Sequence, residues 1–178
     1  MYGHIHVLCN SFLKENGVDP QFIIWDALAY GAEGKTSAGL AALQKIANRV
    51  AMGLPISVAQ LCIHKMAVNQ DFASITQLET EIENLQKSAN ASTIVQAAQI
   101  FWLSGDTTQA HNLVHPLTTQ APANKSAATL VGWIKLSIGD RNSGRWFDMA
   151  SADSVTASRP ADPFVVYGKA MYFASASR

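Results

Sequence analysis

Ala98-Gln99-Ile100-Phe101-Trp102-Leu103-Ser104-Gly105-Asp106-Thr107-Thr108-Gln109-Ala110 is the stretch from which the fold is read. An apolar run ends at a glycine, and a second helical pattern opens directly after it. Ile94, Ala97, Ala98, Phe101 and Trp102 follow i, i+3, i+4, i+7, i+8, one face of a helix. Asp106 with Gln109 resembles a capping box that starts the next helix. A small residue, Ala98, stands seven before Gly105 and an aromatic, Phe101, four before it. Ala110 follows five after the glycine and Pro122 seventeen after it. Two helices pack closely only where small side chains let the backbones approach. The aromatic fills the gap beside that contact, glycine ends the first helix, and proline marks the way onward.

The pattern recurs on both sides. Gly139 follows Gly105 by 34 positions, and Gly105 follows Gly34 by 71, two periods with one glycine missing. The missing turn falls near Asn69-Gln70, where Asn is the next-best residue for a left-handed backbone. Ala27 and Gly132 stand seven before their glycines, Cys62 seven before Asn69, and Tyr30 four before Gly34. Small residue, aromatic, glycine, alanine and proline at this interval is the tetratricopeptide pattern.

The spacing predicts helices over 2–16, 20–33, 36–49, 55–68, 71–88, 91–104, 107–119, 124–138, 143–151 and 163–175. Asp19-Pro20 and Asp162-Pro163 supply start signals. No stretch alternates long enough for a strand. The expected fold is therefore all-α, a tetratricopeptide-like α-solenoid of antiparallel helix pairs coiled as a right-handed superhelix. Residues 1–178 read as a single array with an extended inter-repeat loop at about 152–162. Phe164, Val165, Val166, Tyr167, Met171, Tyr172 and Phe173 make the last helix apolar on most sides. Solenoids finish with polar capping helices, so this reads as the N-terminal part of a longer solenoid.

Composition narrows the function. The 178 residues carry 13 Lys+Arg and 13 Asp+Glu, and 48% are apolar. A neutral chain with scattered basic residues lacks the clustered positive surface that nucleic acid requires. Its longest charge-free stretch, Ser88 to Gly105, is too rich in Ser, Asn, Thr and Gln for a membrane span. The start, Met1-Tyr2-Gly3-His4, has no signal-peptide pattern, and two cysteines make no disulfide framework. These bounds predict a soluble intracellular domain.

No reaction centre emerges. His111 and His115 share a helical face at i,i+4, yet a zinc site needs two further ligands, and none is close in sequence. His4 and His6 point different ways on one helix. Cys9 and Cys62 lie on apolar helices, where free cysteine packs as a small hydrophobe. Glu79, Glu81 and Glu83 spread around a helix as a solvated face. Gly34-Lys35-Thr36 resembles the end of a phosphate loop but lacks the earlier glycine at Ala29 and the preceding strand. The singled-out residues are thus packing positions: Ala27, Tyr30, Gly34, Cys62, Ala98, Phe101, Gly105, Ala110, Pro122, Gly132 and Gly139. No catalytic, cofactor-binding or metal residue is expected.

Several segments in order carry a resemblance to a known family. They are Gly17-Val18-Asp19-Pro20, Ala29-Tyr30-Gly31, Glu33-Gly34-Lys35-Thr36, His64-Lys65-Met66, Phe101 to Asp106, Gly132-Trp133-Ile134 and Tyr167-Gly168-Lys169-Ala170. Glu33 to Thr36 and His64 to Met66 are the more specific, because the repeat frame does not demand them. The chain resembles the N-terminal region of the tetratricopeptide-repeat protein 21 family, the large solenoid subunit of intraflagellar transport complex A. It departs from that pattern at Gly39, where the repeat normally carries alanine. The resemblance implies a non-enzymatic subunit in retrograde transport along a cilium or flagellum. It implies the complex's other subunits as partners and the cytoplasm, the cilium and its base as location. The alternative is a general adaptor that grips peptide tails in its groove. Such clamps cluster lysines and asparagines, whereas Lys65 and Lys135 are far apart here.

Overall fold

A computed structural model describes residues 3–49, 52–120, 123–152 and 162–176. Among these residues there are helices and no strand. The elements are α1 (Gly3–Asn16), α2 (Pro20–Ala32), α3 (Thr36–Gln44), α4 (Gly53–Met66), α5 (Phe72–Ser88) and α6 (Ala91–Leu103). After them come α7 (Thr107–Val114), a 3-10 turn (His115–Thr118), α8 (Lys125–Ser137), α9 (Gly144–Ser151) and α10 (Pro163–Ala176). No helix among the described residues is long and apolar enough to cross a membrane. Pro122 and residues 153–161 of the expected loop lie outside the described residues.

The chain forms two compact units, residues 1–104 and 105–178. In the first, α2 packs on α1, α3 and α4, while α4 packs on α3, α5 and α6. In the second, α8 packs on α7, the 3-10 turn, α9 and α10, and α10 also packs on α9.

Local chemistry explains where these helices begin and end. Asp19 Oδ1 accepts from the Gln21 amide at 2.8 Å with Pro20 at the first helical position, so the orphan donors of α2 are satisfied. Asp71, Asn90, Asp106 and Asn124 cap α5, α6, α7 and α8 in the same way. Gly34, Gly105 and Gly139 all take left-handed φ values of 76°, 91° and 76°. After α2 the Lys35 amide donates to Tyr30 O and the Gly34 amide to Gly31 O, both at 2.9 Å. After α8 the Asp140 and Gly139 amides repeat this with Lys135 O and Leu136 O. Only a glycine conformation lets the chain fold back so tightly on its own last carbonyls.

Three expected elements differ. α3 ends at Gln44 instead of 49, and residues 45–48 tighten into turns held by i to i−3 bonds such as Ile46 N to Leu43 O. α7 stops at Val114 because Pro116 has no amide hydrogen, and the chain continues as the 3-10 turn. The turn without glycine leaves α4 through extended Ala67, and Gln70 Nε2 donates to Lys65 O at 2.8 Å. A side chain there covers a carbonyl that a glycine turn would cover with backbone.

Candidate interaction surfaces

The small residues of the repeat frame sit inside the helix packing. Ala27, Ala98 and Ala110 are fully buried, and Cys62 and Phe101 nearly so. Gly132 on α8 faces Phe147 on α9, and a Cβ there would lie 2.7 Å from Phe147 Cε1. Tyr30 is half-buried, its ring 4.1 Å from that of His6. The departure at Gly39 has a steric cause. A Cβ at Gly39 would lie 2.8 Å from Ala27 O and 3.2 Å from Ile63 Cδ1, so α3 approaches α2 more closely than alanine permits.

The polar residues are placed less as the sequence suggests. His6 faces α2, its Nδ1 2.6 Å from Asp26 Oδ1 and its Nε2 3.5 Å from Glu33 Oε2. Lys35 donates to Glu33 at 2.8 Å and holds that carboxyl below its ordinary range, with His6 adding to the effect. Burial raises the Cys9 thiol and Asp26 raises it further, the reverse of what a nucleophile needs. Glu79 and Glu81 are not merely solvated. Glu79 pairs with Lys65 at 2.9 Å and Glu81 accepts from Ser57 Oγ at 2.9 Å, so both tie α5 to α4. The ring pair His111–His115 lies 4.9 Å apart, and His115 meets Trp146 edge-on at 5.8 Å.

Among the described residues no group of three or more His, Cys, Asp or Glu could hold a metal. An enclosed space among Gln21, Ile24, Trp25, Pro55, Gln96 and Ile100 is about 10 Å³, room for one water. What the second unit does offer is a face. α10 buries Val165 and Gly168 against α9 and seats Tyr172 over Gly144. Lys169 fastens it to Asp148 and Ser151, each at 2.8 Å. The rest of its circumference exposes Phe164, Val166, Tyr167, Met171 and Phe173. α10 rests on α8 and α9 as α4 rests on α2 and α3, but α4 is further covered by α5 and α6. An exposed apolar surface of this kind is a candidate contact surface.

Comparisons with known proteins point to one family. The family model described as "Tetratricopeptide repeat protein 21 N-terminal ARM repeat" matches residues 1–178. Tetratricopeptide repeat protein 21B of Xenopus laevis is 24% identical over 174 residues, 96% of this chain and 13% of that protein. Its Mus musculus counterpart is 23% identical over 138 residues, 78% of this chain and 10% of that protein. Tetratricopeptide repeat protein 21A of Mus musculus is 21% identical over 176 residues, 97% of this chain and 13% of that protein. The chain thus spans little more than a tenth of these relatives' length. A thermophilic tetratricopeptide-repeat protein of Thermus thermophilus superposes with TM-score 0.46 at 14% identity, over 99% of this chain and 91% of its own, a likeness too distant to bear on function. Matched along its whole length, the chain belongs to the tetratricopeptide repeat protein 21 family, as its N-terminal helical-repeat region.

Proposed function

We propose that this chain is a non-enzymatic interaction segment of intraflagellar transport complex A, serving retrograde transport and cilium assembly. Its partners would be other protein subunits of that complex, and its place the cytoplasm, the cilium or flagellum and its base. The observation that carries this reading is the full-length match to the family's N-terminal region. The geometry supports the coarser part, a helical-repeat protein that binds proteins. Small residues are spent on bringing helices together, and the large apolar side chains of α10 are left on the outside.

The peptide-clamp alternative draws less support. A carboxylate clamp needs free cations, yet Lys65 is paired with Glu79 at 2.9 Å and Lys135 with Asp140 at 3.0 Å. The test is co-purification of the 178-residue chain with candidate complex A subunits, with the longer family protein as control. Retention of a subunit by both supports the proposal, and retention by neither refutes it. Micromolar capture of a free C-terminal peptide would favour the clamp.

A further inference from the structure

We propose that α7 is held to the rest of its unit by an acid-sensitive histidine latch, in which protonation of His111 within the His111–His115 stack releases α7 and the 3-10 turn. The two rings lie 4.9 Å apart and inclined by 33°. His111 Nε2 is buried and accepts or donates no hydrogen bond. A neutral imidazole tolerates that position, because its proton can sit on Nδ1 and leave Nε2 bare. An imidazolium cannot, because Nε2 must then carry a hydrogen with no acceptor in a place water does not reach.

The surrounding charges oppose protonation. Lys135 on α8 sends its field to His111, and His115 from the 3-10 turn adds to it. Asp140, the carboxylate beside Lys135, is engaged by Lys135 at 3.0 Å and by the Asn142 amide at 2.8 Å. On α9, Arg145 lies 4.8 Å from the centre of the Trp146 ring on which His115 rests, and Asp148 is turned to Lys169. On α7 itself, Asp106 caps the helix start through the Gln109 amide. Burial first, then His115 and Lys135, push the His111 imidazole below its ordinary value of 6.5. A histidine lowered in the docked state stabilises docking fully above that ordinary value. The contribution is lost as pH falls through the lowered one.

The test is amide hydrogen exchange of α7, referenced to α9 of the same unit, at about pH 7.5 and about pH 5 after correction for intrinsic rates. Opening of α7 relative to α9 rises about fivefold or more in acid, the effect of one unsatisfied buried donor. His111→Phe keeps a ring on His115 and removes the rise. If that variant fails to fold, His111→Gln serves, together with imidazole ¹⁵N titration of the unaltered chain. Equal opening of α7 and α9 overturns the latch, as does a full acid effect in the variants. So does proton uptake at His111 Nε2 without opening of α7.

Discussion

Phe147 of α9 is wedged against two glycines, Gly132 of α8 and Gly168 of α10, and neither position has room for a methyl group beside its ring. A Cβ at Gly132 would stand 2.7 Å from Phe147 Cε1, and one at Gly168 would collide with the same atom. In an ordinary helix interior, glycine to alanine gains about 1 kcal/mol. Here the sign reverses. Gly132→Ala destabilises the second unit by about 1–3 kcal/mol through overpacking, measured by urea unfolding. Phe147→Ala removes a fully buried ring and costs about 3–5 kcal/mol. The double variant lies closer to Phe147→Ala alone than the sum of the two.

Gly39 tests the same principle in the first unit. Its contact is backbone, Ala27 O at 2.8 Å, which cannot rotate away. Gly39→Ala therefore destabilises by about 1–3 kcal/mol despite restoring the residue that the repeat pattern favours. Thermal unfolding that rises on this substitution would contradict the close approach of α2 and α3.

Much of this was legible in the sequence, and the exceptions share a cause. The glycine interval, the Asp-Pro starts and the capping of α7 by Asp106 act within a few residues, so spacing alone reveals them. α7's early stop at Pro116 was missed, the spacing having predicted a helix to 119, although a missing amide hydrogen is a property of the residue and could have revealed it. The need for glycine at 39 was not, because it depends on a carbonyl twelve positions earlier brought near by folding. Glu79 with Lys65 and His6 with Asp26 are likewise cross-helix pairs. The glutamate looks like part of a solvated face, and the histidine like an isolated one, until the neighbouring helices are in place.

Acid should weaken both units apart from any histidine effect. Asp71 is held below its ordinary value of 3.8 chiefly by Ser74, through its hydroxyl and its amide. Asp140 is held below 3.8 by the Asn142 amide and then by Lys135. Both carboxyls are lowered in the folded state, so their stabilisation is complete above the ordinary value and fades as pH falls through the lowered one. Melting temperature followed from neutral pH toward pH ~3 declines in this low range, and Asp140→Asn flattens the decline for the second unit. An unchanged slope in that variant would remove Asp140 from the account.

Helix starts provide a smaller, separable test. Asn124 Oδ1 accepts from the Ala127 amide at 2.9 Å, and α8 is the helix on which the rest of the second unit packs. Asn124→Ala leaves that donor without its partner and costs about 1 kcal/mol. Asn124→Asp retains the acceptor and adds a negative charge at a helix N-terminus, so it holds or slightly raises stability. Equal losses in the two variants would show that the cap is not what Asn124 contributes.

Partner binding should separate from folding at α10. Phe164 and Phe173 are 65% and 66% exposed, so replacing both with serine removes apolar surface that folding leaves in water. The doubly substituted chain keeps its stability within about 0.5 kcal/mol while losing any partner that docks on this face. Val165→Ser, one position from Phe164, is the contrasting variant. That side chain is buried with Phe147, so its loss costs about 1–3 kcal/mol of stability. Urea unfolding and the co-purification assay, run on the same preparations, distinguish the two. A double serine variant that binds as well as the parent would show that the exposed ring edges of α10 are not the contact.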